Sequence, residues 1–282
     1  MPRRDEFGSS ASYDRLRQFP KAIEIYDAFT TLRDHVGYSG IEDVHLHDPE
    51  FPLGITCTPS EAELLTVLVQ MVRPSAPLEI GSYLGWSAAH MASALDAAVL
   101  QCVEPFHMTN AEFGQIPDER AAARFKANLT NAGFWDRIDL IQRPSPDCLA
   151  DCHPPGGWDF AFVDGWHNHG QPLRDVEKLI PLLTDDAIVV LHDPWVPDVR
   201  DAMLWLLLSG FSVVSLNTAN FLTICFRREK PKRLERLFNA ARQVRHNLEG
   251  SRIKRNYLGL CERSVGQFCR SFDVPFRYSI CD

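Results

Sequence analysis

The stretch from Pro77 to Ser87, PLEIGSYLGWS, has the residue types of a small-molecule binding turn. Gly81 and Gly85 flank a tight turn between an apolar run and a helical stretch, and Gly81 can adopt positive φ and let a ligand approach the backbone. The helix that starts near Trp86 presents N-terminal amides, which suit a carboxylate or a phosphate. Three residues separate the two glycines, so neither the dinucleotide pattern G-x-G-x-x-G nor the P-loop pattern is present.

Two acidic residues near this turn indicate what the ligand carries. Glu79 stands before the first glycine and would suit a positive charge. Glu104 ends the next apolar run, where an acid can accept two hydrogen bonds from ribose hydroxyls. A carboxylate, a cation and a ribose together describe S-adenosylmethionine, which the sequence therefore predicts as the cofactor.

The elements that must position these residues alternate along the chain. We predict helices at 58–72, 86–95, 120–132, 172–183 and 199–209, and one more helix at 19–36. We predict strands at 78–80, 98–103, 138–142, 158–163, 187–191, 211–216 and 221–226, the last two as a hairpin. Strands that alternate with helices favour right-handed crossovers and a mostly parallel sheet, whose ligands lie beyond the carboxyl ends of the strands. The glycines and acids fall at those ends.

The motif from Leu78 to Ser87 resembles the first motif of the class I S-adenosylmethionine-dependent methyltransferases, and the likeness covers roughly residues 55–226. It is most similar to the small-molecule O-methyltransferases of the catechol type and their natural-product relatives that act on sugars. The resemblance implies a Rossmann-like α/β fold, a mostly parallel seven-stranded sheet with helices on both faces. The cofactor-binding residues it implies are Glu79, Gly81, Ser82, Tyr83, Gly85, Ser87, Glu104, Ser145 (after the third strand) and Asp164.

The same resemblance implies a divalent cation, magnesium in the first instance, held by Asp164, His192 and Asp193. His192 departs from the family, which more often has two oxygen donors at that pair. Magnesium prefers oxygen ligands, whereas imidazole suits zinc, iron, manganese or nickel better. His167, three residues after Asp164, takes the position of the general base, and a histidine suits proton transfer near neutral pH.

Two further residues, Trp166 and His169, are expected to face the substrate, Trp166 as an aromatic wall. The expected reaction is methyl transfer from S-adenosylmethionine to a hydroxyl of a small molecule. The alternatives are a methyltransferase-fold protein with a hydroxylase-like or purely binding role, and an RNA or protein methyltransferase that uses the basic tail. Near the N-terminus Asp43, His45 and His47 alternate, which favours a solvated lid turn over a second metal site.

The whole chain of 282 residues has a formal net charge of −8, yet residues 227–270 hold 13 Lys and Arg against 4 Glu. We expect an N-terminal lid at 1–57, the methyltransferase domain at 58–228 and a basic helical extension at 229–282. Nucleic-acid binding is not favoured, because no RNA-binding motif accompanies the tail. Without an apolar leader or a membrane-length run, we expect a cytoplasmic enzyme with reduced thiols, no membrane partner and an association, if any, with its own copies.

Overall fold

A computed structural model describes residues 57, 59–107, 118–194, 196–216, 220, 222–227 and 278–281. The helix predicted at 19–36 lies outside the described residues, as do Asp43, His45 and His47. Most of the expected basic extension lies outside them as well.

The described helices are α1 (Pro59–Val72), α2 (Trp86–Ala94), α3 (Asp118–Asn131), α4 (Leu149–Cys152), α5 (Gln171–Leu179) and α6 (Pro197–Leu208). The strands are β1 (Pro77–Ile80), β2 (Leu100–Val103), β3 (Ile138–Ile141), β4 (Trp158–Val163), β5 (Leu183–Leu191), β6 (Ser212–Leu216), β7 (Thr223–Phe226) and β8 (Tyr278–Cys281). Proline stands in the first turn of α1, α5 and α6, where its missing N–H costs no helical hydrogen bond.

The strands form one sheet in the order β3-β2-β1-β4-β5-β7-β6-β8. Neighbours from β3 to β5 are parallel, whereas β7 runs antiparallel to both β5 and β6. The prediction of a mostly parallel seven-stranded sheet with a terminal hairpin is confirmed. An eighth strand, β8, pairs parallel with β6, although the pattern of the tail predicted a helix there. Because the chain passes from β1 to β2 and β3 and then returns to β4, the switch point lies between β1 and β4.

Alternate side chains of the central strands enter two separate apolar cores. Phe160 and Phe162 of β4 pack on the face covered by α1, α2 and α3, and both are fully buried. Ala161 and Val163 pack on the opposite face, with α5 and α6. This is the two-residue period of a strand, and burying each large side chain contributes about 1.5–3 kcal/mol. Because both faces of the sheet are covered, a ligand can approach it at the ends of the strands.

The hydrogen-bond ladder of the sheet continues one residue beyond the strands. The N–H of Asp164 donates to the carbonyl of Ile80 at 2.9 Å, and that of His192 donates to Val163 at 3.2 Å. Glu104 likewise donates to the last residue of β3, at 3.1 Å. The sheet itself therefore fixes the backbone of these three polar residues.

At the opposite end of the central pair, Asp159 joins β4 to the segment that leads into β1. Its Oδ2 accepts hydrogen bonds from the backbone N–H and the hydroxyl of Ser75, at 2.7 and 2.8 Å. Its Oδ1 accepts from the N–H of Ala76 at 3.0 Å. These bonds tie the start of β4 to the residues just before β1 and so help to fix the register of the two strands.

Within the described part of the chain, no helix is long and apolar enough to cross a membrane. The described cysteines, Cys57, Cys102, Cys148, Cys152 and Cys225, are free thiols. Burial raises the pKa of Cys148 to about 11, so this thiol holds its proton at neutral pH.

Candidate active site

The two glycines of the turn after β1 are required by the packing of the protein itself. Gly81 has φ +86°, and a Cβ there would lie 2.4 Å from the carbonyl oxygen of Asp164 and 2.5 Å from the Cα of Gly165. Gly85, the N-cap of α2, has φ +88°, and a Cβ there would lie 3.2 Å from both Leu129 and Phe125. The turn after β1 is thereby pressed against the end of β4, so the two binding segments move together.

Glu104 lies beside this turn at the end of β2 and is almost buried. One carboxylate oxygen accepts the N–H of Tyr83 at 2.8 Å, and the other accepts the N–H of Phe106 at 2.7 Å. Burial raises the pKa of Glu104, and the backbone hydrogen bonds from Phe106 and Tyr83 oppose that rise. The carboxylate also accepts a backbone hydrogen bond from Ser82. Two carboxylate oxygens offer about four lone-pair sites, so acceptor capacity remains for a ribose hydroxyl.

Glu79 is fully buried beneath the same turn. Its Oε1 accepts the hydroxyl hydrogen of Ser87 at 2.5 Å, and its Oε2 lies 3.5 Å from the Sγ of Cys102. Burial raises the pKa of Glu79 to about 7, against the hydrogen bonds of Ser82 and Ser87. In the structure Glu79 joins the first turn of α2 to β1 and β2. Its contact with a positively charged ligand stays a prediction.

Ser145 lies in the turn after β3, where the resemblance implies a contact with adenine. Its carbonyl oxygen accepts a hydrogen bond from Nε2 of Gln171 at 2.7 Å, and the same Nε2 donates a second hydrogen bond to Oδ1 of Asp175 at 2.8 Å. Asp175 is 1% exposed, and burial raises its pKa to about 6. Gln171 and Asp175 of α5 therefore stabilise this turn, and the sequence analysis did not single out either residue.

Three side chains at the ends of β4 and β5 form a cluster that could hold a metal ion. One donor atom each from Asp164, His167 and Asp193 lies within 4.8 Å of the others. The Nε2 of His167 is 3.3 Å from Oδ1 of Asp164, and its Nδ1 is 3.7 Å from Oδ2 of Asp193. The sequence analysis placed all three residues in one site, and the fold brings them together. Their assigned roles stay predictions.

His192 lies behind this cluster and is 3% exposed. Its Nδ1 is 3.0 Å from Oδ2 of Asp193 and 3.1 Å from Oδ1 of Asp164. Its Nε2 is 3.2 Å from Oε2 of Glu61, a fully buried acid on α1. Glu61 also accepts two hydrogen bonds from Asn220, from the backbone N–H at 2.7 Å and the side-chain amide at 3.1 Å. Three carboxylates therefore surround one buried imidazole.

These charges shift the pKa values of His192, His167 and Asp164. Burial lowers the pKa of His192, but Asp164, Asp193 and Glu61 together raise it well above its ordinary value. Burial likewise lowers the pKa of His167, but the hydrogen bond and charge of Asp164, with Asp193, raise it overall. For Asp164 the two imidazoles outweigh burial and hold its pKa below the ordinary range. Strong mutual shifts of this kind in a cluster at a strand edge are typical of functional sites.

The two residues expected to face the substrate are both exposed. Trp166 is 41% exposed, an unusual fraction for so large an apolar ring. The side chain of His169 is also exposed, while its carbonyl accepts a hydrogen bond from Arg174 at 2.5 Å. Trp166 can therefore contact a ligand without rearrangement of the core.

The residues present fit a divalent cation on donor chemistry alone. Two carboxylates and one or two imidazole nitrogens are ligands for manganese, zinc or iron, and the carboxylates suit magnesium. The strand-end backbone that carries them is fixed by the sheet, as a metal centre requires.

The sequence analysis missed Glu61 because it assigned this residue to the first turn of α1. In the sequence Glu61 stands three residues after Thr58, the spacing typical of a capping box, so a local role in the helix was expected for it. The structure shows its carboxylate reaching His192, 131 residues away in the chain. No local pattern encodes such a contact, and only the buried charge of His192 could have indicated that an acid was needed there.

Comparisons with known proteins match the part of the chain that carries the cluster. A family model described as a methyltransferase domain matches residues 78–194. Caffeoyl-CoA O-methyltransferase 2 from Zea mays is 26% identical over 139 residues, which are 48% of this chain and 48% of the maize protein. The chain thus matches about half the length of this curated relative.

Solved structures show the same fold. A putative caffeoyl-CoA O-methyltransferase from Staphylococcus aureus is 18% identical, with a TM-score of 0.54 over 72% of this chain and 99% of that one. An O-methyltransferase from Bacillus cereus in complex with S-adenosylhomocysteine is 16% identical, with a TM-score of 0.51 over 72% of this chain and 91% of that one. The methyltransferase-domain match therefore spans the strand ends that carry the site, and these solved structures share the fold of this chain.

Proposed function

We propose that this protein transfers a methyl group from S-adenosylmethionine to a hydroxyl of a small molecule, with the help of a divalent cation. The observation that carries the proposal is the cluster of Asp164, His167 and Asp193 at the same sheet edge as Glu104 and the glycine turn. The likeness to O-methyltransferases supports the reaction type.

The cofactor would bind across the switch point between β1 and β4. Glu104 would hold the ribose, the N-terminal amides of α2 would meet the carboxylate, and the turn containing Ser145 would contact the adenine. Bound there, S-adenosylmethionine supplies a methyl group on a positively charged sulfur. The protein aligns the acceptor oxygen with that methyl group and excludes water, and such positioning accounts for much of the rate in reactions of this kind.

Asp164 and Asp193 would hold the cation, which supplies a Lewis acid that lowers the pKa of a coordinated hydroxyl. His167 is placed to take the hydroxyl proton onto a ring nitrogen, because its ring is 25% exposed and lies against both acids. Trp166 provides an exposed aromatic face for a flat or sugar-like acceptor. An acceptor with adjacent oxygens, such as a catechol or a sugar diol, satisfies these contacts best.

Calorimetry with S-adenosylmethionine and a methyl-transfer assay with a panel of catechols and sugars test the proposal. We expect binding of the cofactor, and transfer that falls at least about a hundredfold in His167→Ala and Asp164→Ala. His153→Ala is the matched control, since this exposed histidine sits after α4, bonded through Nδ1 to the carbonyl of Ala150.

Full transfer by both variants would show that the proposed mechanism is wrong. Failure to bind the cofactor would contradict the whole proposal. Binding of the cofactor without transfer to any acceptor would instead favour the non-methylating role that the sequence left open.

A further inference from the structure

Glu61 is a carboxylate with no exposed surface, in the first turn of α1. Burying a charge so deeply is costly unless the charge is paired, and its partners are His192 and Asn220. We propose, on the basis of the function above, that Glu61 is a positioning residue: it turns Nδ1 of His192 towards Asp164 and Asp193. That nitrogen then completes a mixed nitrogen–oxygen site that binds Mn²⁺ in preference to Mg²⁺.

The first step of the argument is the orientation of the ring. The carboxylate of Glu61 can only accept hydrogen bonds, so the Nε2 that faces it at 3.2 Å carries a hydrogen. Nδ1, which faces the cluster, is then the ring nitrogen whose lone pair becomes available when a cation displaces its proton. A carboxylate that fixes a histidine in this way is a recurrent partner of metal-binding imidazoles.

The second step is the spacing of the donor atoms. Nδ1 of His192 is 3.0 Å from Oδ2 of Asp193 and 3.1 Å from Oδ1 of Asp164. Adjacent ligands around a six-coordinate cation with bonds of about 2.1 Å are about 3 Å apart. His167 approaches the two acids with different nitrogens, at 3.3 and 3.7 Å, so neither nitrogen has the spacing of Nδ1.

The third step is the chemistry of the donors. A cation at Nδ1 takes the place of a proton shared with the two acids, and that proton leaves to solvent. Imidazole nitrogen binds manganese and zinc better than magnesium, which favours oxygen. With His192 assigned to the cation, His167 remains available as the base, and the two histidines have separate roles.

Binding of Mn²⁺ and Mg²⁺ to the full chain, measured by calorimetry without cofactor or acceptor, tests the proposal. We expect Glu61→Ala to weaken Mn²⁺ binding by about tenfold or more and Mg²⁺ binding by much less. Glu61→Gln keeps an acceptor for Nε2 and should retain most of the affinity. Asn220→Ala is the matched control, because it removes one contact of Glu61 and leaves His192 in place.

Circular dichroism would show whether Glu61→Ala folds. Two further measurements test the proposal even if it does not. His192→Asn puts an amide near the position of Nδ1, so the preference for Mn²⁺ over Mg²⁺ should fall by about tenfold. Nitrogen-15 spectra of histidine-labelled protein with Zn²⁺ should show His192 bound through Nδ1 and protonated at Nε2.

Unchanged Mn²⁺ binding in both Glu61 variants would overturn the proposal. So would an equal loss of Mn²⁺ and Mg²⁺ binding, or a Zn²⁺ complex that leaves His192 unaffected. Because these readouts need no methyl transfer, they separate this proposal from the proposed function. If the protein binds S-adenosylmethionine but the Glu61 variants bind Mn²⁺ normally, only the proposal about Glu61 is overturned, and the proposed function is not.

Discussion

His167 can act as a base only while its ring is neutral. Asp164 and Asp193 raise its pKa, so the neutral form accumulates at higher pH than for an ordinary histidine, with its value of 6.5. We therefore expect the rate of methyl transfer to rise with pH along a limb that reports neutral His167. The limb should be centred above 6.5 where the two acids carry no cation, and at lower pH where a bound cation offsets their charge. Single-turnover rates at saturating acceptor would measure it.

His167→Gln should remove this limb and lower the rate by roughly 10²–10⁴. A rate that keeps the same pH dependence without the imidazole would assign the limb to another group.

The raised pKa of a second residue, Asp175, predicts how the stability of the protein depends on pH. Its folded pKa of about 6 lies above the unfolded value of 3.8, so between these values the unfolded chain releases the proton first. The free energy of unfolding therefore falls as the pH rises through this window, and the loss persists at neutral pH. At about 1.4 kcal/mol per pKa unit, Asp175→Asn should be more stable than the wild type by roughly 2–3 kcal/mol at pH 7.

Denaturant unfolding at pH 4 and pH 7.5 would measure this difference, which should largely disappear at the lower pH. Glu177→Gln, an exposed change on the same helix, is the control. A gain that is equal at both pH values would rule out the buried charge as its cause.

At the scale of the elements, the close packing of the turn after β1 predicts how much a substitution at Gly81 would destabilise the protein. Gly81→Ala combines positive φ with a collision against the backbone at Asp164, whereas Gly133→Ala has positive φ but nothing within 4 Å of the added Cβ. Gly133→Ala should cost about 1–2 kcal/mol of stability. Gly81→Ala should cost several kcal/mol more, because backbone must move.

Unfolding curves and calorimetry with S-adenosylmethionine would measure the pair. Gly81→Ala should also weaken cofactor binding, while Gly133→Ala should not. Equal stability of the two variants would mean that the close approach at Gly81 does not constrain the turn.

The elements show which parts of the fold a sequence pattern can predict. The apolar runs of β1, β2 and β4 are followed by Gly81, Glu104 and Asp164, which interrupt the apolar pattern, so the carboxyl ends of these strands were predicted correctly. β5 starts at Leu183, four residues before the predicted start, because Thr184, Asp185 and Asp186 interrupt its apolar run. A polar segment can extend a strand where only its backbone is needed, and hydrophobic periodicity does not report that.

Within the site, the split between predictable and unpredictable residues follows distance along the chain. Residues just after strands were identified because their position in the fold follows from local order. Glu61, Gln171 and Asp175 were missed because they act through tertiary contacts that connect helices to the sheet edge.

At the scale of the whole molecule, residues 278–281 form β8, the outer strand of the sheet beside β6. β8 pairs with β6, so deletion of residues 278–282 would expose the backbone of β6 as an edge strand. Exposed edges favour association between molecules. We expect the truncated protein to lose thermal stability and to associate, while its affinity for S-adenosylmethionine changes little, since β1, β2 and β4 lie elsewhere in the sheet.

Thermal unfolding and light scattering would measure both effects, with deletion of Asp282 alone as the control. A monomeric truncated protein with unchanged stability would mean that β8 contributes nothing to the sheet.

Asp159 and Gly81 hold the same pair of strands at its two ends. Asp159 ties the start of β4 to the residues before β1, and Gly81 presses the end of β1 onto the residues after β4. A strand pair that is fixed at both ends opens to solvent only when the sheet as a whole opens. The amides of β1 and β4 should therefore exchange with deuterium last, and the binding edge should keep its shape while β6 and β7 open and close many times.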